Sequence, residues 1–306
     1  MPGPRLPPDH AERMARAHLS LDGLSVGDAL GERFFGPPDL VAELLEARRL
    51  PRPPWKYTDD TEMALAIVQV LDEYGRIDAD RLASLFGRRY RANRHRGYGA
   101  TAHDILERIS LGLPWREVSS AVFDGTGSKG NGGAMRAAPL GAYFADDLAR
   151  AAAEARASAE VTHFHPEGQA GAMAVAVAAA WASHGPGSGE PARALFDAVL
   201  AHTPPGPTRD GIERARAWPQ DTTPTAAAKA LGSGQQVLSE DTVPFVIWCA
   251  ARHLGDYEEA LWTTVSGLGD RDTTAAMVGG IVALSAGRGA IPAAWLSARE
   301  PLSPRA

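Results

Sequence analysis

Two short segments, far apart in the chain, are built almost wholly from oxygen-bearing side chains. Tyr57-Thr58-Asp59-Asp60-Thr61 runs directly into the apolar stretch 63–71, and Gly269-Asp270-Arg271-Asp272-Thr273-Thr274 into the stretch 275–284. A helix start needs only one such residue, because a single Thr or Asp oxygen accepts unpaired N–H groups of the first turn and the helix dipole favours negative charge there. Four consecutive oxygen donors exceed that need, and hard divalent cations take oxygen ligands. Asp270 and Asp272 are two apart, so in an extended approach their side chains share a side, with Thr273 next at the helix start. Either segment by itself is explained by capping at least as well as by a metal. Both together favour a shared site for two cations, since acidic clusters folded against each other need compensating charge.

A third segment, Gly125-Thr126-Gly127-Ser128-Lys129-Gly130-Asn131-Gly132-Gly133, precedes Ala134-Met135-Arg136. Its glycines allow backbone N–H groups to converge on an anion ahead of a helix. It is neither a Walker loop nor a dinucleotide fingerprint after a strand, and a flexible linker is the alternative. Thr162-His163-Phe164-His165-Pro166 places two histidines before an alanine-rich run, where they could meet a metal, a ribose or a phosphate, or serve only as structural hydrogen-bond partners. The run 88–99 (RRYRANRHRGYG) is strongly basic with Tyr90 and Tyr98 interleaved. It could stack single-stranded nucleic acid, form a rim that contacts a modified substrate, or be a solvated helix end, and the acidic balance of the whole favours the last.

The elements that must carry these segments are helices. Alanine is abundant, most stretches between glycine and proline breaks have helical spacing, and alternating β-branched runs are scarce. Helices are expected over 10–31, 40–50, 61–74, 79–91, 100–111, 115–123, 135–144 (disturbed at Pro139), 147–161, 166–183, 191–201, 210–218, 242–253, 256–266 and 273–286, with loops at 183–190 and 202–207. The fold class is therefore all-α, as one helical domain over 9–298 with frayed ends at 1–8 and 299–306. The 306 residues carry 31 Lys+Arg against 37 Asp+Glu, a net charge of −6, which argues against coating nucleic acid or an anionic membrane. Cys249 is the single cysteine, so an intrachain disulfide or a cysteine zinc cluster is excluded. The longest apolar run, 170–182, is shorter than the roughly 18 residues a membrane span needs, and the N-terminus lacks the core of an export signal. A soluble cytoplasmic protein is expected.

Together these segments, with Gly23-Leu24-Ser25-Val26-Gly27-Asp28-Ala29-Leu30-Gly31, resemble the ADP-ribosylglycohydrolase family over most of the chain. The resemblance implies an all-α fold and a pair of Mg²⁺ or Mn²⁺ ions held by Thr58, Asp59, Asp60, Asp270, Asp272 and Thr273. It also implies that Gly127, Ser128, Gly130, Asn131 and Gly132 cradle the diphosphate of ADP-ribose, with His163 nearby. Asp60 and Asp59 are then the candidate catalytic carboxylates. Glu32 is a third candidate: members that cleave serine-linked ADP-ribose carry a glutamate a few residues beyond the Gly-Asp-Ala-Leu-Gly stretch, whereas here the carboxylate follows Gly31 at once. Lys129 stands where relatives often have an aromatic residue, and Arg271 must point away from the cations. The expected reaction is hydrolysis of the bond joining ADP-ribose to a protein side chain, with arginine the favoured linkage. The alternatives are a catalytically silent ADP-ribose-binding or crystallin-like member and a hydrolase of O-acetyl-ADP-ribose.

Overall fold

The computed structural model describes residues 6–185, 189–219 and 221–302. Sixteen α-helices follow one another along them: α1 (His10–Gly31), α2 (Pro38–Glu46), α3 (Asp59–Tyr74), α4 (Ala79–Ala92), α5 (Ala100–Ser110), α6 (Trp115–Ser120), α7 (Ala138–Tyr143), α8 (Leu148–Glu160), α9 (Pro166–Ala182), α10 (Pro191–His202), α11 (Pro207–Ala217), α12 (Pro224–Leu231), α13 (Ser239–Arg252), α14 (Tyr257–Ser266), α15 (Arg271–Ala286) and α16 (Ala293–Ala298). Among the described residues there is no strand, only the isolated bridges Trp55–Arg299 and Gly130–Leu238. The fold is all-α.

Two helices that are apolar all round form the centre. In α9, buried residues occupy every face from Gly168 to Ala180, and in α15 they run unbroken from Thr273 to Leu284. A helix of that kind is stable only when other helices surround it. Helix α1 lies against α15 at backbone distance: a Cβ on Gly23 would stand 2.4 Å from the Gly279 carbonyl oxygen, and one on Gly27 would stand 2.1 Å from that of Ala275. Only glycine permits this crossing. It is fastened by Ser20 Oγ donating to the Gly280 carbonyl (2.8 Å) and Tyr257 donating to that of Gly23 (2.7 Å). The crossing brings the C-terminal half of α1 beside the start of α15.

Local departures from the expected boundaries have physical reasons. The expected helix 135–144 begins at Ala138, which puts Pro139 in the first turn, where its missing N–H costs nothing. Helix α13 starts at Ser239 and keeps Pro244 inside it, packed against Gly211. Helix α6 stops at Ser120, and Phe123 and Asp124 adopt left-handed backbone (φ 51° and 56°) on the way into the glycine-rich loop. Helices α12 and α16 were not expected; at 8 and 6 residues they are too short for periodicity to register. Arg299 and Glu300, expected in the frayed tail, pair with Trp55 instead: the Trp55 amide donates to the Ala298 carbonyl and the Glu300 amide to that of Trp55. Residues 1–5, 303–306 and the part 186–188 of the expected loop lie outside the described residues. Among the described residues no helix is long and apolar enough to cross a membrane.

Candidate active site

The start of α3 is capped from another helix. Asp28, buried in α1, accepts from the Thr58 amide (3.0 Å), the Thr61 amide (3.1 Å) and the hydroxyls of both threonines. Thr58 is the N-cap and accepts from the Asp60 amide. Thr58, rather than Asp59 or Asp60, provides the side-chain cap of α3. Asp60 Oδ2 lies 2.9 Å from Thr58 Oγ1 and 3.5 Å from Thr273 Oγ1 of α15, while Asp60 Oδ1 is buried without any hydrogen-bond partner. The two oxygen-rich segments therefore meet. On the α15 side, Asp272 accepts from the Thr273 amide (2.9 Å) and Asp270 from the Asn131 side-chain amide (2.8 Å). Arg271 turns away, donating to the Phe34 carbonyl (2.8 Å) with its guanidinium 4.9 Å from the centre of the Phe35 ring.

This gathering of carboxylates is only partly relieved, by the hydrogen bonds that Thr58 and Thr61 give Asp28 and by the Arg136 charge acting on Asp59. Burial pushes the Asp59 pKa up to about 8 and that of Asp28 to about 6, with the Asp28 charge adding to the rise at Asp59. Burial and neighbouring carboxylates hold Asp60 and Asp272 well above the usual range as well. The Thr58 hydroxyl is 2.9 Å from both Asp28 Oδ1 and Asp60 Oδ2 yet has one proton to give. Such a set retains extra protons or takes up cations. Its all-oxygen chemistry and the partnerless Asp60 Oδ1 suit hard divalent ions. The groups that could hold them are Thr58, Asp59, Asp60, Asp270, Asp272 and Thr273. Among the described residues no group of three His, Cys, Asp or Glu side chains is already arranged to hold a metal ion.

Asp59, Asp270, Asp272 and Thr273 line one part of a cleft of about 900 Å³, and Gly127–Gly132 with His163 line another. That is the usual size of a small-ligand site. The glycine-rich loop is held open by neighbours rather than left slack. Asn131 donates its amide to the Val237 carbonyl (3.0 Å), the Ser239 amide donates to the Lys129 carbonyl (3.0 Å), and the Gly127 amide donates to that of Val122 (2.9 Å). Gly127 itself sits at φ 79°, and a Cβ there would stand 2.6 Å from the His165 nitrogen. The amides of Ser128 and Lys129 have no acceptor among the described residues. Lys129 Nζ is paired with Glu240 at the rim (2.7 Å).

The sequence pattern of the ADP-ribosylglycohydrolase family matches residues 9–304. The chain belongs to this family. It is 27% identical to ADP-ribosylhydrolase ARH3 of Homo sapiens over 95% of this chain and 90% of that protein. It is 25% identical to ADP-ribosylarginine hydrolase Tri1 of Serratia proteamaculans over 94% of this chain and 75% of that one. Its fold is similar to a solved ADP-ribosylglycohydrolase-related protein complex, with a TM-score of 0.64 and 25% identity over 95% of this chain and 94% of the other. Membership in the ADP-ribosylglycohydrolase family assigns the broad activity, hydrolysis of ADP-ribosyl compounds.

Of the residues singled out from the sequence, Asp59, Asp270, Asp272, Thr273, Gly127, Ser128, Gly130, Asn131, Gly132 and His163 line the cleft of this ADP-ribosylglycohydrolase. Thr58 and Asp60 lie buried in contact with them. Glu32 does not join them. Helix α1 ends in a tight turn over Glu32–Phe34 that leaves Glu32 exposed and outside the cleft lining. The basic run is largely consumed by ion pairs: Arg89 with Glu62 (2.7 Å, both buried), Arg94 with Glu107 (2.6 Å) and Arg96 with Glu300. Tyr90 and Tyr98 are buried against each other, and Gly97, Gly99 and Ala100 form one wall of the cleft. Sequence reasoning missed Asp28 as a member of the site. Its signal was available, since it is the only charged residue between Asp22 and Glu32 in a stretch of small and apolar residues. It also missed the wall formed by residues 236–238, to which no element or role was assigned.

Proposed function

We propose that this protein hydrolyses the bond between the anomeric carbon of ADP-ribose and a protein arginine side chain, with the help of two Mg²⁺ or Mn²⁺ ions. The observation that carries the reading is the meeting of two acidic helix starts, through Asp60 and Thr273, beside a cleft that the glycine-rich loop 127–132 also lines. The amides of Ser128 and Lys129 bind the diphosphate without a dedicated cation, as converging backbone N–H groups do. Asn131, held between Thr242 (3.1 Å) and Asp270 (2.8 Å), keeps the cradle in register with the acidic end. Asp59, facing the cleft, stabilises positive charge developing at the anomeric carbon. Asp60, with its partnerless Oδ1, orients and deprotonates the attacking water. The ions, when bound, neutralise the carboxylates and supply Lewis acidity to the ribose hydroxyls and the water.

Arginine is favoured over serine because Glu32, the carboxylate nearest the serine-type position, lies outside the cleft lining, and because Tri1 is named for arginine-linked substrates. The test is release of ADP-ribose from arginine-, serine- and acetate-linked substrates with and without chelator. Turnover of the arginine-linked substrate, stopped by chelator and restored by Mg²⁺ or Mn²⁺, is expected. Turnover of the serine- or acetate-linked substrate alone would overturn the linkage, and tight ADP-ribose binding without any turnover would favour a silent member.

A further inference from the structure

A buried arginine, Arg136, is linked to the His163 ring by two hydrogen bonds that meet at Thr162. Arg136 is fully buried over the Phe86 ring (4.6 Å) and forms no salt bridge among the described residues. Its Nη1 donates to the Gly132 carbonyl (3.0 Å), and its Nη2 donates to the Ser158 carbonyl (3.0 Å) and to Thr162 Oγ1 (2.9 Å). Thr162 Oγ1 in turn lies 2.8 Å from His163 Nδ1. A guanidinium only donates, so Thr162 must accept from Arg136, and its own hydroxyl proton has no other acceptor than His163 Nδ1 among the described residues. The reverse arrangement, with Nδ1–H donating to Thr162, would strand that hydroxyl proton in a site where Thr162 is only 3% exposed, at the cost of an unmade buried hydrogen bond. A neutral imidazole that accepts at Nδ1 carries its proton on Nε2.

His163 Nε2 stands against the cradle, 3.3 Å and 3.1 Å from where side chains on Gly130 and Gly132 would begin, and has no hydrogen-bond partner among the described residues. Resting on the reading of this cleft as an ADP-ribose site, we propose that Arg136 and Thr162 are positioning residues that hold His163 as its Nε2–H tautomer, so that it presents a neutral donor to an anionic oxygen in the glycine cradle. Burial, reinforced by the Arg136 charge, keeps the His163 pKa down at about 3, so the ring remains uncharged at neutral pH. The same guanidinium grips the Gly132 carbonyl, so the loop and the histidine share one anchor.

The test is ¹⁵N NMR of the histidine rings in the ligand-free protein, with His163 assigned among nine histidines by the signal lost in His163→Gln. The expected spectrum has a pyridine-like Nδ1 and a pyrrole-like Nε2 for His163. In Thr162→Val the two tautomers mix and the Kd for ADP-ribose rises about tenfold, as loss of one hydrogen bond to a charged group does. Thr162→Ser restores both. A His163 ring found as Nδ1–H or as imidazolium at pH 7 overturns the proposal, as does an unchanged tautomer in folded Thr162→Val. Failure of the unaltered protein to bind ADP-ribose would instead refute the ligand reading, with the tautomer still deciding the role of Arg136 and Thr162.

Discussion

Without the Asp28 carboxylate, the amides and hydroxyls of Thr58 and Thr61 would lose their shared acceptor at the start of α3. Asp28→Ala is expected to lower stability by about 1–3 kcal/mol, the range for stranding a buried donor, measured by denaturant unfolding. Asp60→Asn acts oppositely. It removes one of several crowded negative charges, so in chelator it should raise the stability by about 1 kcal/mol in thermal unfolding while abolishing turnover, the usual trade-off at a strained site. The pH dependence follows from the same crowding. Asp28 and Asp59 have folded pKa values of about 6 and about 8, above the unfolded value of about 3.9, so the folded cation-free protein binds more protons than the unfolded chain. That contribution to stability is complete below about pH 4 and is lost as pH rises through 6 and then 8. Cations replace the missing protons, so the rise in melting temperature on adding Mg²⁺ should be larger at pH 8 than at pH 5, as a melt series in the two buffers will show.

The helices α1 and α15 set the position of every residue just named. Gly27→Ala would drive a methyl group to 2.1 Å from the Ala275 carbonyl oxygen, with backbone on both sides and no flexible side chain to yield. The expected cost is about 3 kcal/mol, the upper end for overpacking, with turnover falling further than stability because Asp28 and Asp272 shift relative to each other; unfolding and rate measurements on the same variant check this. At this scale the sequence was readable where periodicity is long. The expected first helix has the observed ends, and α8, α9 and α15 differ by one or two residues. The glycines at 267, 269, 279 and 280 allow close approach to Phe245, Ser233, Gly23 and Ala138. The expectation failed where an element is too short, as at α12 and α16, and it placed the start of α13 at 242 rather than Ser239, with Pro244 inside the helix in both. Asp28 stands out as a lone acid among small and apolar residues, but its role exists only once α3 is docked on α1 and the amides of Thr58 and Thr61 meet its carboxylate.

Across the whole molecule, the two acidic segments are more than two hundred residues apart in sequence, yet they touch through Asp60 and Thr273. The sequence offered this meeting only as a consequence of charge compensation, because no local rule links one helix start to another. The basic run shows the converse: its charge is evident in the sequence, but its ion-pair partners Glu62, Glu107 and Glu300 are scattered along the chain, so its role could not be read locally. The most direct measurement of the central claim is titration of the cation-free protein with Mn²⁺ by isothermal calorimetry, for the unaltered chain and for Asp60→Asn and Asp272→Asn. If α3 and α15 build one site, the unaltered chain takes up two ions and either substitution, on either helix, sharply weakens that uptake. Uptake that persists unchanged in both variants, or that is lost in only one of them, would contradict a shared cage.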